Sequence, residues 1–166
     1  MRYKEIKPND AANGEGICVS LWTVGCPHHC KGCHNSDLWE YNQGEKFTLD
    51  TYTKIMKLLK ANGVNRNLSI LGGEPLCKEN RYDVIFLCSL IKTASPETKI
   101  YVWTGYSYEY VIENCSDLLK YIDVLIDGKF EIDKKYIRLK LRGSSNQRII
   151  DVKKSLAVEK VILYKY

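Results

Sequence analysis

Four short apolar runs, each closed by glycine and separated from the next by a stretch of helical spacing, leave this chain few folds to choose from. The first is Ile17–Val24, rich in β-branched residues and running into Gly25. The second is Leu68–Leu71, ending at Gly72-Gly73, the third Lys99–Thr104, stopped by Gly105, and the fourth Val124–Ile126, followed by Asp127-Gly128. Runs of this length and composition read as buried strands. Between them, Leu49–Ala61 places Tyr52, Ile55, Met56 and Leu59 on one helical face before Asn62-Gly63 closes it. Val84–Ile91 and Tyr108–Lys120 read as two further helices.

Strand and helix in alternation predict parallel pairing through right-handed crossovers, with helices covering at least one face. The number of units falls short of a closed eight-fold barrel. The expected fold is therefore α/β: an open, incomplete (β/α) barrel with a mostly parallel, curved sheet. At 166 residues, without a linker or repeat, residues 1–166 form one domain. Residues 129–150 read as irregular basic structure, and 151–166 as a final helix or strand.

Ligand sites in such sheets lie beyond the carboxyl ends of the strands. Here those ends are Gly25-Cys26, Gly72-Gly73-Glu74-Pro75, Thr104-Gly105-Tyr106 and Asp127-Gly128, which predicts one shared site. Asp127 and Tyr106 are candidates for lining it. No apolar run approaches the roughly 20 residues of a membrane span, and no apolar stretch follows the start of the chain as in a secretory signal. A cytoplasmic location is expected, where thiols stay reduced. Seven cysteines then point to metal or cluster ligation rather than disulfides.

Three of the seven stand together in Cys26-Pro27-His28-His29-Cys30-Lys31-Gly32-Cys33. Pro27 and Gly32 argue for a loop, which can wrap so that three sulfurs converge. Soft thiolates select zinc, copper(I) or iron–sulfur centres. A structural zinc site would need a fourth ligand from His28, His29 or His34, whereas a four-iron cluster on three thiolates leaves one iron open. Otherwise His28 and His29 read as exposed. Cys18, Cys77, Cys88 and Cys115 are scattered and read as small buried hydrophobes.

The net charge of +5 is uneven: residues 129–160 hold ten basic residues against four acidic. Solvated lysines explain most such stretches, and without an aromatic–basic repeat nucleic-acid binding is not the leading reading. Neither a nucleic acid nor a membrane is an expected partner.

A CxxxCxxC loop directly after a sheet strand resembles the radical S-adenosylmethionine enzymes. In that family the three cysteines hold a [4Fe–4S] cluster whose fourth iron chelates the methionine amino and carboxylate groups of S-adenosylmethionine. Leu71-Gly72-Gly73-Glu74-Pro75, one crossover downstream, resembles the family's GGEP segment, which meets the methionine amino group. Alone it would be an ordinary βα turn with an acid near a helix start.

Many members carry an aromatic residue where this chain has Gly32. Gly32 instead resembles the branch of anaerobic ribonucleoside-triphosphate reductase activases, as do His34-Asn35, Trp39, Val102–Tyr106, Asp123–Phe130 and Arg142–Arg148. This resemblance covers about residues 1–150. It implies a deoxyadenosyl radical that abstracts hydrogen from a glycine of the reductase large subunit, with flavodoxin or ferredoxin as electron donor. It assigns Cys26, Cys30 and Cys33 to the cluster and Gly32, Cys33, His34, Asn35, Gly72, Gly73 and Glu74 to S-adenosylmethionine, Glu74 suiting the ammonium group. Beyond the cluster it implies no catalytic side chain. A branched residue at 73 is expected to spoil cofactor binding and spare the cluster. The open side of the sheet would admit the partner's loop, with the basic stretch near Lys129, Arg142 and Arg148 on the docking rim. Activases of the pyruvate formate-lyase type and a zinc-binding interaction module are the alternatives.

Overall fold

A computed structural model describes residues 1–165 as one seven-stranded mixed sheet with its helices gathered on one face. The chain runs β1 (Arg2–Asp10), β2 (Cys18–Thr23), β3 (Glu45–Lys46), α1 (Leu49–Leu59), β4 (Asn67–Gly72), α2 (Arg81–Ala94), β5 (Ile100–Trp103), α3 (Tyr108–Leu119), β6 (Val124–Asp127), β7 (Arg148–Asp151) and α4 (Val152–Ala157). In space the order is β3-β1-β2-β4-β5-β6-β7. Central strands β2, β4, β5 and β6 are parallel, in the register Leu21↔Ile70, Ile70↔Val102 and Val102↔Leu125.

The expectation of a mostly parallel sheet needs correcting at both margins. On one side β1 and β3 pair antiparallel, and on the other β7 returns antiparallel along β6, matching Asp127 with Arg148. Neither β1 nor β7 carries the unbroken apolar run of a buried parallel strand. β1 is largely exposed, and its register slips between Lys7 and Asp10, where Pro8 has no N–H to donate. The sheet is not closed: β3 and β7 are its edges.

The two-residue side-chain period divides each central strand between two environments. Val19, Leu21, Leu68, Ile70, Ile100, Val102 and Leu125 face Ile55 and Leu59 of α1, Val84, Leu87 and Ile91 of α2, and Val111 and Leu118 of α3. Each such side chain contributes about 1.5–3 kcal/mol on burial. Tyr101, Val124, Ile126 and Ile149 turn to the other face, where Trp103, Leu141 and Tyr164 pack on them. Helix starts follow local chemistry: Thr48 and Thr51 form a capping box on α1, Ser107 caps α3, and Asp151 caps α4. Residues 129–147 cross the non-helical face as a loop with one 3-10 turn, Ile132–Lys134, matching the irregular basic stretch expected there. No described helix is long and apolar enough to cross a membrane.

Candidate functional site

The three-cysteine loop leaves the carboxyl end of β2 through Gly25, whose φ of +86° is open to glycine at little cost. The Gly25 N–H donates to Leu38 O at 2.8 Å and the Cys26 N–H to Trp39 O at 3.0 Å, so the first cysteine is anchored from behind. Cys26 is buried, while Cys30 and Cys33 are half-buried. The Cys33 N–H donates to Cys30 O at 3.1 Å, and the Cys33 thiol accepts the Asn35 N–H at 3.4 Å. Burial pushes the Cys26 thiol up to about 11 and raises Cys30 as well, so both are protonated in the ligand-free chain at neutral pH. All three cysteines border one cleft of about 500 Å³, within the usual range for small-molecule sites.

The Gly72–Glu74 turn forms the next wall. Gly72 has φ of +108°, and its carbonyl accepts from Asn35 Nδ2 at 3.3 Å. The Gly73 and Glu74 N–H groups donate to Thr23 O and Gly25 O, each at 2.8 Å. A Cβ built at Gly73 would lie 2.6 Å from Gly25 O. Turn and cysteine loop are therefore packed backbone to backbone. A branched residue at 73 is therefore set to press on the cluster loop as well, against the expectation that it would leave that loop alone.

The Glu74 side chain is engaged within the protein. It is 1% exposed, and both carboxylate oxygens are engaged by protein. Oε1 accepts from the Leu76 N–H and the Thr104 hydroxyl, each at 2.8 Å, while Oε2 accepts from the Gly105 N–H at 2.7 Å and His28 Nε2 at 2.8 Å. A carboxylate offers about four acceptor positions, and four donors use them. His28, expected exposed, is the buried partner in this cluster, with a side chain 6% exposed. His29 is exposed and stacks on Trp39 at 4.7 Å.

Cys33, His34, Asn35, Gly72, Gly73 and Glu74 all border the cleft, as do Cys26 and Cys30. His34 tilts against Phe130. Gly32 does not border it: with φ of +74° it faces Ile132, whose Cδ1 would sit 2.8 Å from a Cβ there. Asp127 and Tyr106 do not either. Asp127 is buried under the start of α3, accepting the Tyr108 N–H at 2.7 Å and pairing with Arg148, and Tyr106 stacks on Tyr110. Arg148 is thus a structural cation rather than a rim charge. Arg142 does border the cleft, with Nη1 donating to Gln147 O at 2.6 Å.

Thr104, expected at one of the strand ends that build the site, does line the cleft, whereas Trp22 and the exposed tip Tyr136-Ile137 at its mouth were not expected there. Trp22 alone had a signal, standing in the run that feeds the loop. The indole N–H groups of Trp22 and Trp39, both on the cleft wall, are buried without a protein acceptor. Among the described residues no three His, Cys, Asp or Glu side chains come close enough to hold a single metal ion. His28 Nε2 is bonded to Glu74, and the His29 ring stacks on Trp39. Three thiols bordering one cleft are soft donors of the kind that hold iron–sulfur clusters.

Comparison with known proteins agrees with this donor set. Residues 12–150 match the family described as 4Fe-4S single cluster domain, and that cluster-domain class is the one to which the fold and site belong. Within it, the chain is 40% identical over 149 residues to the anaerobic ribonucleoside-triphosphate reductase-activating protein of Enterobacteria phage T4, covering 90% of this chain and 93% of that one. The proteins of the same name from Vibrio cholerae and Escherichia coli K12 are 39% identical over 150 residues and 37% over 148, covering 90% and 89% of this chain and 97% and 96% of theirs. The chain belongs to the anaerobic ribonucleoside-triphosphate reductase-activating protein family.

Proposed function

We propose that this chain is a radical S-adenosylmethionine activase of the anaerobic ribonucleoside-triphosphate reductase large subunit, acting in the cytoplasm as one domain over residues 1–166. The observation that carries the reading is that three thiols and the Gly72-Gly73 backbone border one cleft at the carboxyl ends of β2 and β4. Cys26, Cys30 and Cys33 would hold a [4Fe–4S] cluster, with S-adenosylmethionine beside it. When bound and reduced by one electron from flavodoxin or ferredoxin, that pair supplies methionine and a 5′-deoxyadenosyl radical, which takes a hydrogen atom from a glycine Cα of the reductase and leaves as 5′-deoxyadenosine.

The chain's own residues hold and orient. Carbonyls of the Gly72-Gly73 turn would take the methionine ammonium, since all four acceptor positions of Glu74 are used by protein donors. Asn35 ties the end of the cysteine loop to that turn. His34, beside Phe130, offers a flat surface for the adenine. The open sheet, read as an incomplete barrel, leaves the cleft mouth free for the partner's loop, with the basic 129–142 segment on its rim.

The test is whether the anaerobically reconstituted, dithionite-reduced protein converts S-adenosylmethionine to 5′-deoxyadenosine, and whether mixing with the reductase yields a glycyl-radical doublet in electron paramagnetic resonance. A chain carrying one zinc and no sulfide, and releasing no 5′-deoxyadenosine, would overturn the reading. Cleavage with a glycyl radical on pyruvate formate-lyase alone would move the partner to the other activase type.

A further inference from the structure

We propose that His28 is a positioning residue that sets the three-cysteine loop against the Gly72–Glu74 turn, with Glu74 as its buried anchor. The inference rests on the reading of the cleft as a cluster and S-adenosylmethionine site. It adds a role for two side chains that neither the cysteine spacing nor the relatives' names assign.

Three segments meet at one carboxylate. Glu74 lies on the turn after β4, its Oε1 takes the Thr104 hydroxyl from the end of β5, and its Oε2 takes His28 Nε2 from the cysteine loop at 2.8 Å. His28 stands between Cys26 and Cys30, and its ring reaches across to both neighbouring strand ends, Glu74 after β4 and Gly105-Tyr106 after β5. Its other contacts leave it little freedom. Tyr106 meets the ring edge-on at 4.6 Å and is itself stacked on Tyr110 at 4.2 Å. On the remaining side lies Gly105, where a built Cβ would overlap the ring at Cδ2 and come within 2.5 Å of Nε2. No unusual backbone angle demands glycine there, so the requirement is space for the ring.

The consequence is geometric. Gly25 and Cys26 are held from behind by main-chain bonds to Leu38 O and Trp39 O, whereas Cys30, two residues beyond His28, is tied through its carbonyl only within the loop, to the Cys33 N–H, and through its thiol to the Phe130 backbone N–H. Without the His28–Glu74 bond, the loop between the first and second thiols loses its only described side-chain anchor to the cofactor turn. The thiols remain, so a cluster can still assemble; what shifts is its place relative to the Gly72-Gly73 backbone. Groups that orient ligands from behind typically change affinity or activity by roughly 10–100-fold when removed, and a displacement of about 1 Å has consequences of similar size.

The experiment uses the full chain, reconstituted anaerobically, as wild type, His28→Ala, His28→Gln, Gly105→Ala and Glu74→Gln. Iron and sulfide per chain are measured, together with the electron paramagnetic resonance spectrum of the reduced cluster before and after S-adenosylmethionine, and KM and kcat for 5′-deoxyadenosine. His28→Ala and Gly105→Ala should keep wild-type iron, raise KM for S-adenosylmethionine roughly tenfold or more, and alter the cofactor-induced spectral change. His28→Gln keeps an N–H donor at nearly the same reach and should restore both readouts towards wild type. Glu74→Gln should follow His28→Ala, because it places an amide N–H against the Gly105 and His28 donors.

If Glu74→Gln alone weakens the cofactor while His28→Ala and Gly105→Ala behave as wild type, Glu74 is a direct ligand and the proposal fails. Loss of iron in His28→Ala and Gly105→Ala would overturn it too, making the ring part of cluster assembly. Should His28→Ala fail to fold, Gly105→Ala and His28→Gln still decide between these outcomes. A wild-type cluster whose spectrum ignores S-adenosylmethionine would instead sink the cofactor reading beneath it.

Discussion

Replacing Arg148 by Ala separates a structural cation from the docking charges that surround it. The guanidinium forks two ways: Nε donates to Asp127 Oδ1 at 3.0 Å, while Nη1 and Nη2 reach Glu109 Oε1 and Oε2 at 3.1 and 2.9 Å. The Asp127 side chain is 2% exposed, and without Arg148 its one remaining described donor is the Tyr108 N–H. Breaking a buried ion pair from one side costs about 3–5 kcal/mol. Arg148 itself is 35% exposed, and screening on that side brings the expectation to about 2–3 kcal/mol. For a chain of this size each kcal/mol corresponds to roughly 2–4 °C, so Tm should fall by roughly 5–10 °C.

The difference between wild type and variant should also depend on pH. The bond from Arg148 holds the Glu109 carboxyl down to about 2, against an ordinary value of 4.5. A depressed carboxyl stabilises the fold above its unfolded pKa, and that contribution drains away as pH falls from 4.5 towards 2. Arg148→Ala loses the largest part of it at every pH, so the gap between the two proteins should narrow on acidification through that window. Urea unfolding of the reduced, metal-free chain by circular dichroism measures both effects. A variant within about 0.5 kcal/mol of wild type, the range of ordinary surface changes, would refute the buried-pair argument. A gap that does not narrow between neutral and acid pH would refute the Glu109 contribution.

Cys26→Ala, Cys30→Ala or Cys33→Ala should each abolish the iron-dependent visible absorbance, whereas Cys88→Ala, in the core between β-sheet and helices, should keep it; the reverse pattern would show the ligands misassigned. Gly73→Val should lower both iron content and S-adenosylmethionine cleavage, because its side chain would strike the Gly25 carbonyl just before Cys26; full iron with lost cleavage would mean that turn and loop move independently. Lys134→Glu with Arg138→Glu, two exposed positions on the loop at the cleft mouth, should leave uncoupled 5′-deoxyadenosine formation near wild type and reduce glycyl-radical formation on the reductase, mainly through association rate. Equal loss of both activities would assign those charges to the fold.

Local pattern was enough for the elements that position the site. β2, β4, β5 and β6 are short, mainly apolar runs ended by turn residues, and α1 and α3 carry their caps and apolar faces in adjacent positions, so period and punctuation suffice. The cysteine spacing and the Gly72–Glu74 turn were legible for the same reason, since each is a contiguous string. β1 and β7 were not. Both are short of apolar residues, and what makes them strands is the unpaired edge of a neighbour, β2 for one and β6 for the other. Nor could spacing show that Glu74 and His28, 46 residues apart, share a hydrogen bond, or that Asp127 and Arg148 pair away from the cleft. A carboxylate or guanidinium looks alike in sequence whether it meets a ligand or a buried partner. The choice depends on which donors the folded chain brings within about 3 Å, and that is decided only when distant strand ends are packed side by side.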